Sequence, residues 1–173
     1  MSERILTINP GSTSTKIGIF DGTEQVFTKT LRHSAEAVGG PLSDQLNIRR
    51  QVVLDVLAQE QIDLKALTAI VGRGGLLRPL VSGTYRVNQE MREDLLNGTF
   101  GIHASNLGGL LADEIGQTLS IPAFIVDPVV VDELEPIARL TGLPELERKS
   151  IFHALNQKAV AKRYAKENGI PYE

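Results

Sequence analysis

The 173-residue sequence contains no cysteine. That excludes a disulfide scaffold, a thiolate metal site and a cysteine nucleophile, and it fits the reducing cytoplasmic setting we expect. An excess of either charge is also missing. Lys and Arg number 18 against 21 Asp and Glu, a formal net charge of -3. Such a balance favours solubility and argues against nucleic acid as a partner. No uninterrupted apolar run approaches the ~20 residues of a membrane span. The opening MSERILTINPGS is charged where a signal peptide would be apolar, so no membrane association is expected. Fixed-period repeats and low-complexity tracts are absent too. With 42% hydrophobic and 23% charged residues, the chain is too apolar and too balanced in charge to be disordered. Its length suits one substantial core plus part of a second.

Apolar residues are patterned as strands first. Arg4 to Ile8 is short and β-branched, and the turn residues from Asn9 to Ser14 follow it. Thr15 to Phe20 alternates, Asp21-Gly22 marks a hairpin, and Glu24 to Leu31 reads as a third strand, giving an antiparallel meander. Ala35 to Ser43 reads as a loop, and Asp44 to Gln61 has apolar residues near helical spacing. Leu67 to Val71 is a strand ending in Gly72-Arg73-Gly74-Gly75. Asn88 caps a helix that stops at Asn97-Gly98, and Ser105 or Asn106 caps another running to about Leu119. Ala123 to Val126 is a strand ending at Asp127-Pro128. Ile151 to Asn168 is a helix with Leu155, Ala159, Val160 and Tyr164 on one stripe. The order predicts a mixed sheet of five strands with helices on both faces.

Five segments carry chemistry-bearing residues. The turn Asn9-Pro10-Gly11-Ser12-Thr13-Ser14-Thr15-Lys16 gathers backbone N–H groups, hydroxyls and one positive charge, which suits phosphate oxygens. Asn9 offers a neutral oxygen to a metal ion or its water shell. The same composition also describes an ordinary hairpin turn. It is not a Walker A loop, because the second glycine before Lys16 is missing and a strand follows. Arg73 between glycines suits a carboxylate or phosphate, or is a surface residue at a strand exit. His103 and Asn106 precede a helix, as substrate-cleft residues or plain caps. Asp127 ends a strand, where α/β sheets place chemistry, or is a turn aspartate. His153 beside Arg148 and Lys149 suits an anionic transition state, or belongs to a solvated basic patch. His33 has no motif around it.

In order and spacing, INPGSTSTKIGIF, IVGRGGLLRP, GIHASNLGG, IPAFIVDPVVVDE and the segment from Arg148 to Tyr164 resemble the acetate and butyrate kinase family, on its butyrate kinase side, within the sugar kinase, Hsp70 and actin superfamily. The resemblance runs from Ile5 to Ile170. It implies a ribonuclease H-like (actin-like ATPase) α/β fold, with 1–128 as a first domain and 129–173 as the helical opening of a second whose remainder is absent. It implies reversible transfer of the ATP γ-phosphoryl group to butanoate, giving butanoyl phosphate and ADP, with Mg²⁺. Other short carboxylates such as acetate, propionate or branched acids are alternative substrates. A non-catalytic nucleotide-binding module is the alternative class. By position, the resemblance implies catalytic Asp127, His153 and Arg73, and metal contacts from Asn9 and Asp127. Phosphate contacts fall to Gly11, Ser12, Thr13, Ser14 and Lys16, and the substrate cleft to Gly74, Gly75, His103 and Asn106. One departure stands out. Acetate kinases carry a substrate-binding Arg where this chain has Ala69, and Arg73 takes the place of a His before Gly74-Gly75. The adenosine pocket is expected beyond Glu173, the 173 residues alone are expected to be inactive, and the complete enzyme is expected to be a homo-oligomer.

Overall fold

The computed structural model describes residues 3–172; Met1, Ser2 and Glu173 lie outside the described residues. The expected meander is present as β1 (Arg4–Pro10), β2 (Ser14–Asp21) and β3 (Glu24–Arg32), antiparallel in sequence. Its hairpin closes at Gly22, whose φ of 60 favours glycine. The bidentate Arg4–Asp21 pair joins the start of β1 to the end of β2, beside that turn, at 2.6 Å. A short helix α1 (Ala35–Val38), capped by Ser34, occupies what the sequence marks as loop. Helix α2 (Leu42–Gln59) then leads to β4 (Ala69–Arg73), which lies parallel to β1.

The sheet has six strands, not the five expected, in the order β3-β2-β1-β4-β6-β5. The extra one is β5 (Tyr85–Arg86), two residues paired antiparallel to the edge of β6 (Ala123–Val126). So short a strand carries no alternation to detect. Helix α3 (Gln89–Asn97) has the expected caps. Asn88 Oδ1 accepts from the Met91 N–H at 2.8 Å, and Gly98 is left-handed. Helix α4 (Leu107–Leu119) follows a 3-10 turn at Ala104–Asn106; Asn106 holds the expected N-cap position of α4 but makes no side-chain cap bond, and His103 caps the preceding turn. Short helix α5 (Pro136–Arg139) and helix α6 (Ala154–Glu167) complete the chain.

Strand alternation sorts the two faces. Leu6, Ile8, Ile17, Ile19, Ile70 and Ile125 are buried on one face, which α4 covers, with α2 and α3 packed on α4. The approach of α4 to β4 is very close. A Cβ on Gly72 would lie 2.0 Å from the Gly108 carbonyl oxygen, and one on Gly108 would lie 2.3 Å from that of Arg73. The opposite face presents Thr7, Asn9, Lys16, Val71 and Val126, and α6 stands across a cavity from it through Leu155 and Ala159. The expected stripe on α6 divides: Leu155 and Ala159 line the cavity, while Val160 and Tyr164 are 60% and 61% exposed. Among the described residues no helix is long and apolar enough to cross a membrane.

Candidate active site

Parallel β1, β4 and β6 end side by side at one edge of the sheet, and each delivers a polar side chain there. These are Asn9 from β1, Arg73 from β4, and Asp127 one residue past β6. Lys16, near the start of the antiparallel β2, pairs with Asn9 and reaches the same edge. All four line a cavity of about 700 Å³ beneath α6. This is where α/β sheets place ligands.

Asp127 is the hub. It is 7% exposed. Its backbone is left-handed at φ 48, a conformation that aspartate and asparagine tolerate better than most residues. Arg73 donates to Oδ2 through Nε at 3.2 Å and Nη2 at 3.1 Å. The His153 Nδ1 lies 2.9 Å from the same oxygen and 3.1 Å from the Asp127 carbonyl. Both neighbours of Nδ1 are acceptors, so Nδ1 carries the proton in either charge state and Nε2 is left for another partner. Among the described residues Oδ1 meets only the Asn156 N–H, at 3.3 Å, in the first turn of α6. Three residues far apart in sequence, Arg73, Asp127 and His153, are thus one hydrogen-bonded group. His153 backs Asp127 without lining the cavity itself.

Other expected site residues lie elsewhere. Gly11, Ser12, Thr13 and Ser14 form the β1–β2 turn at the same end of the sheet but are not walls of the cavity. Gly74 and Gly75 hold positive φ of 93 and 108 against Ser105 and Leu95, so these glycines admit protein neighbours. Asn106 does not present its side chain to a cleft. It is fully buried, its Oδ1 accepts from Leu76 N–H at 2.9 Å, and its Nδ2 donates to the Leu95 and Gly101 carbonyls. With its amide committed to three loop groups, Asn106 ties those loops together. His103 is exposed, and its Nδ1 accepts from the Ser105 N–H.

Two residues that sequence reasoning passed over sit under the turn. Arg49 is fully buried and bonds to the turn's carbonyls. It stands on the buried stripe of α2 between Leu46 and Val53, and a charged residue inside an apolar stripe is the signal that marks it. His33 Nε2 lies 2.8 Å from the Thr15 hydroxyl. Burial, and secondarily the Arg49 charge, lowers the His33 pKa below its ordinary 6.5. The unfolded chain then takes up a proton that the folded chain refuses as pH falls below that value. Denaturant unfolding from pH 8 to pH 5 is therefore expected to show stability dropping below pH 6.5, with a shallower drop in His33→Gln; equal slopes would contradict this.

The site also passes a test for a magnesium ion. Among the described residues no cluster of three His, Asp or Glu side chains forms a metal cage. Magnesium brought in on nucleotide phosphates needs only one or two protein oxygens and keeps several waters. Asp127 Oδ1, with its single long contact, and the Asn9 amide oxygen on the same cavity fit that requirement.

Comparison with known proteins agrees with the fold and narrows the family. No family model matches the chain. Butyrate kinase 1 of Clostridium acetobutylicum is 59% identical over 172 residues, which is 98% of this chain and 48% of that protein. The chain is homologous to the butyrate kinases. A probable butyrate kinase of Clostridium botulinum is 56% identical over 175 residues, covering 100% of this chain and 49% of that protein. The chain spans about half the length of these relatives, corresponding to the N-terminal half of a butyrate kinase. Among solved structures, an acetate kinase from Porphyromonas gingivalis superimposes with a TM-score of 0.66 at 14% identity, over 99% of this chain and 50% of that one. A propionate kinase from Francisella tularensis gives a TM-score of 0.61 at 14% identity, over 97% and 50%. These likenesses establish the acetate kinase-like, actin-like ATPase fold of this butyrate kinase homologue.

Proposed function

We propose that the full-length gene product transfers the ATP γ-phosphoryl group to butanoate, reversibly, giving butanoyl phosphate and ADP. The observation that carries this is the Arg73–Asp127–His153 group beside Asn9 and Lys16, in a chain 59% identical to a butyrate kinase. A butanoate oxygen attacks the γ-phosphorus while the bond to the β–γ bridging oxygen breaks. The carboxylate is already ionised at neutral pH, so no base is needed to activate it. What the protein must supply is positioning and relief of anion–anion repulsion.

Each residue has a share in that task. Lys16 and the β1–β2 turn hold phosphate oxygens. Arg73, bonded to Asp127, presents positive charge where the carboxylate enters. His153 keeps Nδ1 on Asp127 and offers Nε2 to the transferring phosphoryl group. Asn9 and Asp127 would hold the shell of a magnesium ion, which would neutralise phosphate charge when bound. His153→Ala is expected to lower kcat roughly 100-fold, as for loss of one donor to transition-state charge. A kcat within a few-fold of wild type removes His153 from this role.

The activity test is ADP release with butanoate in competition against acetate, propionate and isobutyrate. Butanoate is expected to give the highest kcat/KM. The margin over its neighbours should be modest, since one methylene is worth only about 1–3 kcal/mol in an apolar pocket. We further propose that 1–128 is a complete ribonuclease H-like domain and that 129–173 opens the second. Past Pro128 the chain adds no strand to the six-stranded sheet among the described residues, and it meets the sheet domain at the Leu80–Val131 bridge and through His153 and Asn156 at Asp127. Ile137, Leu140, Val160 and Tyr164 lie exposed, which supports their cover by further chain or another subunit in the complete enzyme. The 173 residues alone are accordingly expected to be inactive.

A further inference from the structure

Beneath the β1–β2 turn lies a fully buried cation without an anion. Arg49 is 0% exposed. Its Nη1 donates to the carbonyls of Gly11 at 2.8 Å and Ser14 at 3.1 Å, and to Thr15 Oγ1 at 3.2 Å. Its Nη2 donates to the Ser12 carbonyl at 3.1 Å and to Gln45 Oε1 at 3.2 Å. Nε has no partner. Among the described residues Arg49 takes part in no ion pair. Buried charges are normally paired, and neutral oxygens solvate a guanidinium without cancelling its charge. Burial lowers the Arg49 pKa, but from a value so high that the group stays charged at neutral pH. The clamp is itself held, since Gln45 Nε2 donates to the Gly40 carbonyl at 2.8 Å and Thr15 Oγ1 meets His33.

The same contacts set the peptide planes. In a trans peptide the C=O and the following N–H point in opposite directions, and the chain has no cis bonds. Drawing the carbonyls of Gly11 and Ser12 in toward Arg49 therefore turns the N–H groups of Ser12 and Thr13 outward. Among the described residues neither N–H has a protein acceptor, and both residues are exposed. Successive outward N–H groups with positive charge behind them form an anion-binding concavity.

We infer that Arg49 is a positioning residue for the phosphate: it aims the Ser12 and Thr13 N–H groups at a phosphoryl oxygen, and the bound phosphate supplies the counter-charge that Arg49 lacks. The inference rests on the reading of this turn as the phosphate side of the proposed reaction, and it adds the residue that makes the turn competent.

The test uses the full-length gene product with three substitutions. Gln45→Glu places a carboxylate beside Nη2 with nearly unchanged shape, so it cancels the buried charge and keeps the Arg49 contacts to the turn, while giving up the amide bond to the Gly40 carbonyl. In protein shown folded by circular dichroism, its KM for MgATP is expected to rise about 5-fold or more, with the KM for butanoate within about 2-fold. Arg49→Met releases the peptide planes, and in protein shown folded by circular dichroism its KM for MgATP is expected to rise about 10-fold or more. A merely structural Arg49 would lower the melting temperature of Arg49→Met and leave both KM values for MgATP at the wild-type figure, which overturns the inference. Lys16→Ala separates the two failures. If Lys16→Ala raises the KM for MgATP and the other two do not, only the role of Arg49 falls. If none of the three raises it, the phosphate reading of the turn falls with it. Should Arg49→Met not fold, Gln45→Glu decides alone.

Discussion

Asp127→Asn is expected to lower kcat of the full-length gene product by at least about 100-fold, with the fold intact. Asparagine is nearly isosteric and accepts the left-handed backbone at φ 48, so the substitution removes the charge without straining the turn. What it removes is the acceptor that orients both Arg73 and His153 and, through Oδ1, the carboxylate available to magnesium. Arg73 and His153 would keep an amide oxygen as partner, but a weaker one. Loss at Asp127 therefore reaches every other member of the group, and the deficit should at least equal that of His153→Ala. The Mg²⁺ concentration for half-maximal rate should rise as well. A kcat within a few-fold of wild type, at unchanged Mg²⁺ dependence, would contradict the assignment of Asp127.

Gly72→Ala is expected to be the most destabilising single-methyl addition in the sheet, costing at least about 3 kcal/mol. The added Cβ would lie 2.0 Å from the Gly108 carbonyl oxygen. The obstacle is helix backbone, so no rotamer change relieves it, and α4 must move off the sheet it covers. Gly108→Ala meets the Arg73 carbonyl at 2.3 Å and should behave alike. Urea unfolding of both variants measures this; a loss under 1 kcal/mol in either would mean that α4 can slide without cost. Arg73 directly follows Gly72, so partly folded variants should also lose activity.

Much of the fold was legible because its early part is local. The Asp21-Gly22 turn, the alternation on β2 and the caps Asn88 and Gly98 depend on neighbours in sequence, and each is found where composition puts it. The strand β5 was not legible, because two residues held by the edge of β6 carry no pattern of their own. Glycines 72, 74 and 75 were visible as a cluster, but not what fills the space they leave. That space is taken by α4, Ser105 and Leu95, which arrive only in three dimensions.

The site divides in the same way. Asp127, Arg73 and His153 each looked equivocal in its own segment, and only the parallel ends of β4 and β6 with the start of α6 join them. Asn106 sat in a motif that suggested the cleft, yet its amide is consumed by three loop groups. Arg49 had no motif at all. Its signal was a charge on the apolar stripe of α2, and its meaning depends on a turn more than 30 residues earlier in the chain.

The most direct single measurement is ³¹P nuclear magnetic resonance of the full-length gene product with MgATP and butanoate. A butyrate kinase gives an acyl phosphate resonance that grows as ADP forms and disappears on adding hydroxylamine. ADP with inorganic phosphate alone, or unchanged ATP in the presence of demonstrated nucleotide binding, would contradict carboxylate phosphorylation and leave a nucleotide-binding or hydrolysing module in its place.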